Sequence, residues 1–391
     1  MYDLVVVGGG ASGLMAAGRA AELGARVLLL EKNKTLGAKL AISGGGRCNI
    51  TNAEYDERVL LKAYGKAEQF LYSLFAQFGV KDTFSFFESR GLPLVVEANK
   101  RVFPKTQKAA DVVAALRAYA QAGGVTIKTS SPVTGVAGNG TEIISVQSGS
   151  KTYTAKQFIF ATGGVSHPET GSTGEGFAWL KSLGHTVLPS TPTIVPLRVA
   201  DAWIKMLKGI ALPNIKITFF TGSQKTCLPA GRAFSKEGKL LCTHFGISGP
   251  LVLNSATAVA DLLQAGPVTA AIDLYPKLDP GMLERHILKT FDANKNKTLK
   301  NVLRLLVPEG ASKGILTLLP PKLIETKVHS ILKEERKIIA RTLKSLPLTI
   351  EGLMGFDRAV ISDGGVPPAE VDFKTMRSKK TGNLFITGDL L

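Results

Sequence analysis

The stretch that decides the fold is residues 3–31, DLVVVGGGASGLMAAGRAAELGARVLLLE. Residues 4–7 form a short apolar run rich in β-branched side chains, which predicts a buried strand. The glycine pattern Gly8-x-Gly10-x-x-Gly13 follows at once, and after it come a helical run of small and apolar residues and a second apolar strand, Val27–Leu30. We therefore predict a β-α-β unit at the start of the chain.

The residue types of this unit fit a bound dinucleotide. Gly8 permits the tight turn out of the strand, Gly10 lets a pyrophosphate approach the backbone, and Gly13 lets the helix pack close to the sheet. The free N–H groups and the dipole of the helix N-terminus stabilise the phosphates. Glu31, 18 positions after Gly13, is placed to accept hydrogen bonds from ribose hydroxyls. The unit by itself does not distinguish NAD from FAD.

Length and composition describe an ordinary globular chain of 391 residues, for which we expect two or three domains. No apolar run is long enough to cross a bilayer, and the first strand begins next to Met1, so we expect a cytoplasmic protein without a signal peptide or membrane partner. The three cysteines, Cys48, Cys227 and Cys242, are odd in number and lack metal-ligand spacing. We therefore expect neither a disulfide framework nor a metal site.

The formal net charge of +17 is high. A charge of this size is one signature of nucleic-acid binding. The lysines and arginines are spread over the whole length, however, and no nucleic-acid-binding motif accompanies them. We therefore expect a solvated basic surface rather than a nucleic-acid partner.

Two further glycine-rich segments and the last strand carry ligand-binding signals. Residues 43–49, SGGGRCN, are dense in backbone donors and predict a loop that wraps a flat polar ligand. A third buried strand, residues 158–161, ends in the sequence ATGG, and the final strand ends in Thr387-Gly388-Asp389. Because ligands bind at the carboxyl ends of strands in open α/β sheets, these features predict that the two chain ends meet around FAD rather than NAD.

At this point the sequence resembles the HI0933-like flavoproteins, a family that includes aminoacetone oxidases and bile-acid reductase-like enzymes. The resemblance covers nearly the whole chain. The segments that carry it are VVVGGGASGLMAA (5–17), SGGGRCNITN (43–52), RVFPKTQKAADVV (101–113), ATGGVSHPETGSTGEGF (161–177), THFGISGP (243–250), GGVPPAEVDFKTMRSK (364–379) and LFITGD (384–389).

The resemblance implies an α/β fold whose Rossmann-type FAD-binding domain is formed by both chain ends, residues 1–190 and 353–391. It also implies an inserted β-rich substrate domain, residues 191–276 and 338–352, and a small helical domain, residues 277–337. The cofactor-binding residues implied by the family are Gly8, Gly10, Ala11, Ser12 and Gly13 for the pyrophosphate, Glu31 and Lys32 for the ribose, Val133 for the adenine, Lys39, Ser43, Gly44, Gly45, Arg47, Cys48 and Asn49 near the flavin and its phosphates, and Thr162, Gly163, Gly164, Gly388 and Asp389 to complete the site.

The sequence departs from the family at one place. Family members usually continue after the final acid with a glycine-rich turn and a helix over the flavin, whereas this sequence ends at Leu391, two residues after Asp389. We therefore expect one set of flavin contacts to be absent.

The chain has one dinucleotide turn and no second, which favours a substrate that reduces the flavin directly and O2 that reoxidises it. The resemblance points to a small primary amine such as aminoacetone, or an amino acid, oxidised to an imine that yields a carbonyl and ammonia, with release of H2O2. Two alternatives stay open: an NAD(P)H-dependent flavin reductase of activated C=C bonds, and a flavin-bound nucleic-acid-associated protein. The oligomeric state, monomer or homodimer, is also open.

Three catalytic candidates follow from residue type and neighbourhood. His244 precedes a helix start and suits proton transfer or substrate orientation, although a purely structural tether between the inserted domain and the FAD domain fits slightly better. Lys39 and Lys105 are candidates for the positive charge that assists O2 near the flavin. Arg47 suits a phosphate or a substrate carboxylate, and we expect the Cys48 thiol to be packed rather than redox-active.

Overall fold

The computed structural model describes residues 1–222 and 233–391, the side chain of Lys66 aside, so Cys227 lies outside the described residues. The strands, numbered in chain order, are β1 (Tyr2–Val7), β2 (Val27–Leu30), β3 (Thr51–Asn52), β4 (Leu94–Val96), β5 (Arg101–Pro104), β6 (Thr126–Lys128), β7 (Val133–Gly138), β8 (Ile143–Ser148), β9 (Lys151–Tyr153), β10 (Ala155–Phe160), β11 (Leu188–Thr193), β12 (Leu197–Val199), β13 (Ala211–Thr221), β14 (Ala233–Cys242), β15 (Gly246–Ser248), β16 (Val268–Asp273), β17 (Leu346–Leu353), β18 (Ile361–Gly365) and β19 (Leu384–Ile386).

The helices are numbered in the same way. They are α1 (Ala11–Glu22), α2 (Ala38–Gly46), α3 (Glu57–Lys62), α4 (Glu68–Gln77), α5 (Val80–Glu88), α6 (Ala109–Ala122), α7 (Glu175–Ser182), α8 (Ala202–Lys205), α9 (Pro250–Leu253), α10 (Ala256–Ala265), α11 (Pro280–Asp292), α12 (Leu299–Val302), α13 (Ser312–Leu316), α14 (Pro321–Ile324) and α15 (Lys333–Lys344).

The chain divides into two compact units. Unit 1 consists of Met1–Thr191 and Val360–Leu391, and unit 2 of Pro192–Ala359. The finer division of the inserted part into a β-rich and a helical domain stays a prediction.

Unit 1 is built on a parallel sheet of five strands in the order β19-β10-β1-β2-β6. The first strand therefore lies beside β10, which in turn pairs with the last strand of the chain. Val5 and Val6 of β1 are fully buried because both faces of the sheet are covered by apolar clusters. The predicted α/β fold, with a Rossmann-type sheet from both chain ends, is confirmed.

The order of the strands creates a switch point. From β1 the chain moves to β2 and β6 on one side, and then returns to β10 on the other side. In a doubly wound sheet, ligands bind in the crevice at this point, outside the carboxyl ends of the strands. In unit 1 the switch lies between β1 and β10.

Unit 2 contains a closed barrel of six strands in the order β12-β15-β14-β13-β16-β17. One apolar cluster joins barrel residues such as Ile217 and Ile272 to residues of the following helices such as Leu283 and Ile339. Closing the sheet leaves the barrel without exposed strand edges.

One local prediction was wrong. Pro250 and the apolar spacing that follows it predict one helix over residues 250–263, but the segment is split into α9 and α10, and the Ser255 hydroxyl at the break donates to the carbonyl of Leu251 at 2.8 Å. The glycine-rich segment that begins at Ser43 has the backbone of a loop, as predicted. Ser43, Gly44 and Gly45 depart from helical angles, and φ is positive at Gly44, Gly45 and Gly46, although α2 extends nominally to Gly46.

Within the described ranges, no helix is long and apolar enough to cross a membrane.

Candidate functional site

Unit 1 contains a cavity of about 550 Å³ at the carboxyl ends of its parallel strands. This volume lies in the range of small-molecule and cofactor sites. The wall is formed by residues 7–8, 10–12, 30–33, 37–40, 42–45, 131, 133, 161–163, 167, 170–172, 175, 179, 360–361 and 388–389.

The first turn of α1 provides an anion-binding end to this cavity. A Cβ atom at Gly13 would lie 1.9 Å from the carbonyl oxygen of Gly8, and Gly8 itself has φ +107°, so both positions require glycine. A Cβ atom at Gly10, in contrast, would meet no described atom within 4 Å and would stand in the cavity. Because α1 has no side-chain cap and no acid in its first turn, its first N–H groups suit a phosphate.

Glu31 is held rigidly at the tip of β2. Its side chain is buried, with Oε2 accepting from the Gly9 N–H at 2.7 Å and Oε1 from the Asn33 N–H at 2.8 Å. Each carboxylate oxygen keeps a second lone pair, so the pre-oriented group can still accept from a ribose hydroxyl.

Lys32 bridges to another part of the cavity wall. Its Nζ lies 2.6 Å from Oε2 of Glu175 and donates to the Thr173 hydroxyl at 2.6 Å. Burial opposes ionisation of Glu175, but hydrogen bonds that include those from Lys32 and Thr173 leave the pKa of this carboxyl below its usual value. The bridge joins the segment after β2 to the start of α7 along one side of the cavity.

Residues from opposite ends of the chain meet at the β10–β19 edge. The Lys39 ammonium lies 3.2 Å from Oδ2 of Asp389 and donates to the buried Ser166 hydroxyl at 3.0 Å. Nearby, the hydroxyl of Thr162 is buried and has no hydrogen-bond partner among the described residues. It faces α7 rather than the open cavity, because a Cβ atom at Gly176 would lie 2.1 Å from it. Together with the anion-binding turn, these groups fit a dinucleotide.

Three predicted cofactor residues do not lie on the wall. Arg47 forms an ion pair with Glu97 at 3.0 Å, and its guanidinium lies over the Phe103 ring with Cζ 4.0 Å from the ring centroid. Its charge is therefore already partnered. Burial raises the pKa of the Cys48 thiol, which argues against a reactive thiolate. The Asn49 side chain accepts from the backbone of β5. These three residues follow the glycine-rich segment in sequence but do not line the cavity. Their contact with the cofactor stays a prediction.

Gly13 and Gly164 also lie behind the wall rather than on it. A Cβ atom at Gly164 would come within 2.4 Å of the Ser362 hydroxyl and 3.0 Å of the carbonyl oxygen of Asp389. Both glycines therefore allow close packing of the elements that carry the wall. The other predicted cofactor residues, Gly8, Gly10, Ala11, Ser12, Glu31, Lys32, Lys39, Ser43, Gly44, Gly45, Val133, Thr162, Gly163, Gly388 and Asp389, line the cavity.

The catalytic candidates are separated by the structure. Lys39 lies on the cavity wall, whereas Lys105 is exposed and is not one of the lining residues. His244 belongs to unit 2, where its exposed ring stands edge-on to Phe245 at 5.0 Å. Of the three candidates, Lys39 alone therefore lies on the cavity wall.

Sequence reasoning found only part of one side of the site. Thr162 and Gly163 were predicted to bind the cofactor, and His167 has the residue type of a proton donor, like His244, although the adjacent Pro168 indicates a turn. The loop between β10 and α7 contributes His167, Thr170, Gly171 and Ser172 to the wall. The spacing of Ser172 and Glu175 is that of a capping box and predicts only a helix start. The helix α7 does begin at Glu175, but it has no side-chain cap, and Glu175 binds Lys32 instead. The glycines of this loop were the available signal.

Comparison with known proteins agrees with this geometry. Residues 2–391 match the family described as HI0933-like protein Rossmann domain. The chain is similar to the 3-dehydro-bile acid delta(4,6)-reductase of Clostridium scindens, with 28% identity over 395 residues that cover 100% of this chain and 93% of that protein. It is also similar to the ribosomal RNA dihydrouridine synthase of Escherichia coli, with 27% identity over 393 residues that cover 100% of this chain and 92% of that protein.

A solved structure supports the fold alone. The 3-ketosteroid delta1-dehydrogenase from Sterolibacterium denitrificans aligns with a TM-score of 0.52 and 13% identity, covering 100% of this chain and 93% of that one. The family match, by contrast, spans nearly the whole sequence and implies a flavin of the FAD type. The chain therefore belongs to the HI0933-like family and is an FAD-dependent oxidoreductase of that family.

Proposed function

We propose that this protein reduces a C=C bond conjugated with a carbonyl group, with electrons supplied by a reduced nicotinamide. The observation that carries the proposal is the full-length alignment with two proteins that are both named for saturating such a bond. This is the alternative that the sequence left open, and it is better supported than amine oxidation.

The two relatives' names share one chemistry despite different substrates. In a 3-dehydro (3-oxo) steroid, the delta-4 and delta-6 C=C bonds are conjugated with the C3 carbonyl. In uracil, the C5=C6 bond is conjugated with the C4 carbonyl. Reduction adds a hydride, with its electron pair, to the carbon remote from the carbonyl, and a proton to the adjacent carbon. A flavin, when bound, supplies the hydride transfer.

The protein's own residues bind and orient. The N–H groups at the start of α1 suit the pyrophosphate, and the buried Glu31 carboxylate suits the ribose. Lys39 and Asp389 hold each other at 3.2 Å and thereby join the two chain ends at the cavity.

His167 is the proton donor that we propose for this reaction. It lies on the cavity wall, and its Nδ1 is 2.8 Å from Oε1 of Glu169, which orients the ring. An imidazole is suited to proton transfer near neutral pH. A His167→Asn variant should slow reoxidation by substrate while leaving reduction by NAD(P)H unchanged.

The test is an anaerobic mixing experiment on the FAD-loaded protein. NADPH, NADH and aminoacetone are added separately, and the flavin absorbance is followed. We expect a nicotinamide to bleach the flavin, and a conjugated enone or a uridine-containing RNA to restore the colour without oxygen. Bleaching by aminoacetone, with recovery and H2O2 only on admission of air, would instead establish the amine oxidase that the resemblance suggested.

A further inference from the structure

The positive charge of the protein is unevenly distributed between its units. Residues 192–359 contain 24 lysines and arginines against 13 aspartates and glutamates, a net charge of +11. The remaining residues, 1–191 and 360–391, contain 24 against 18, a net charge of +6. The smaller unit thus carries most of the excess, although the FAD-type cavity lies in the other one.

Part of this charge is gathered on a surface that we call the basic face, formed by Lys295, Lys297, Lys327 and His329. Main-chain contacts place the two segments side by side. The carbonyl oxygen of Lys297 accepts from the Val328 N–H at 2.9 Å, the carbonyl oxygen of Lys295 accepts from Nδ1 of His329 at 2.7 Å, and Lys327 forms an isolated antiparallel bridge with Thr298.

Buried apolar residues fix the two segments that carry the basic face. Leu299 and Val328, next to these lysines in sequence, are almost completely buried in the apolar core of unit 2. The Leu299 N–H also donates to the carbonyl of Thr326 at 3.0 Å. Because the backbone is fixed on both segments, the four exposed basic side chains are held together rather than free to separate.

No acid neutralises this cluster within the part of the chain that the structure describes. Lys295, Lys297 and Lys327 have no carboxylate within 4.0 Å, and the neighbouring Glu325 is paired with Lys300 at 3.6 Å. Like charges held close together repel each other, so binding of a polyanion is favoured, and the release of its counterions adds to the affinity.

We infer that the basic face binds the phosphate backbone of an RNA. This inference rests on the proposed function, because it selects uracil in RNA over a free small enone as the substrate class. All four side chains are exposed on the surface, where successive phosphates of a strand can reach them. Contacts of this kind position a nucleic acid without reading its sequence.

The test compares two triple variants of the FAD-loaded protein. Lys295→Gln/Lys297→Gln/Lys327→Gln removes the basic face, and Lys81→Gln/Lys108→Gln/Lys151→Gln is the matched control. The three control lysines are exposed residues of unit 1 and, among the described residues, have no carboxylate within 4.0 Å. Circular dichroism melting curves establish that both variants fold.

Binding of a fluorescein-labelled, uridine-containing RNA hairpin is measured by anisotropy over a series of salt concentrations. With a slope of about 0.9 per phosphate contact, loss of three lysines should reduce the dependence of log Kd on log salt by about 2–3. We expect Kd at low salt to rise about tenfold or more, and the control to stay within about twofold. Equal loss in both variants would overturn the inference, as would binding of the wild-type protein to phosphatidylserine vesicles but not to the RNA.

A second measurement separates this inference from the proposed function. Anaerobic reduction by NAD(P)H and reoxidation by free 2-cyclohexenone are followed in both variants, and both should match wild type. If the wild-type protein binds RNA through the basic face but reduces no conjugated C=C bond, the proposed function fails while the basic face stands as an RNA-binding surface. If it reduces the enone but neither variant differs in RNA binding, the proposed function stands and this inference fails.

Discussion

Replacement of Gly10 by valine should weaken FAD binding by at least about 100-fold while leaving the fold intact. Gly10 has φ −78° and ψ −168°, which any residue can adopt, and an added Cβ atom meets no described atom within 4 Å. That Cβ atom would stand on the cavity wall in front of the first N–H groups of α1. A phosphate would be held away from these groups.

The expected magnitude follows from the hydrogen bonds lost. Hydrogen bonds to a charged group contribute about 1.5–3 kcal/mol each, so loss of two should weaken FAD binding by about 3–6 kcal/mol. This corresponds to an increase in Kd of at least about 100-fold. The free energy of unfolding without FAD should change by less than about 1 kcal/mol, because reduced flexibility of the unfolded chain offsets a less favourable helix cap.

Gly13→Ala is the contrasting variant. Its Cβ atom would lie 1.9 Å from the Gly8 carbonyl oxygen, so the helix or the turn must move, and we expect the free energy of unfolding to fall by at least about 2–3 kcal/mol. Urea denaturation of the FAD-free proteins and titration of FAD by fluorescence quenching give both quantities. A Gly10→Val protein that binds FAD within about tenfold of wild type would refute a pyrophosphate position on α1.

Three further predictions concern the carboxylate at β2, the acid side of the stability curve and the contact between chain ends. Glu31→Gln places an amide donor against backbone donors, and should lower the free energy of unfolding by about 1–3 kcal/mol and weaken FAD binding, as measured by melting with and without FAD. His185 is buried, and its Nδ1 lies 2.8 Å from Oε2 of Glu370. Burial lowers the pKa of this imidazole despite the neighbouring carboxylate. The unfolded state therefore binds more protons, and the free energy of unfolding should fall as the pH drops through 6.5. Glu370 is partly desolvated, but hydrogen bonds that include one from Lys380 lower its pKa to about 2. A second loss of stability should therefore follow between about pH 4.5 and 2. Urea midpoints measured against pH check both steps, and His185→Gln should flatten the first. Lys39→Met should change the free energy of unfolding by under about 1 kcal/mol, because its ion pair with Asp389 is partly exposed. The same variant should shift the absorbance spectrum of the bound flavin. An unshifted spectrum would place the flavin away from Lys39.

Local backbone requirements explain what could be predicted of the fold. The turn at Gly8, the close approach at Gly13 and the buried runs of β1 and β2 depend on a few consecutive residues, so the β-α-β unit follows from the sequence. The regular apolar spacing of residues 109–122 likewise predicts a helix with the bounds of α6, Ala109–Ala122. The break between α9 and α10 was not predicted, because apolar residues continue through it.

The sequence by itself therefore determined the dinucleotide turn, the strand ends that carry ligand-binding residues, and membership of a flavoprotein family. Only the tertiary structure decided which of these residues lie on one cavity wall. It joined Lys32 to Glu175, 143 positions away, and Lys39 to Asp389, 350 positions away, and it partnered Arg47 with Glu97 behind the wall. Contacts of such separation depend on how whole elements pack, and no short stretch of sequence specifies that packing.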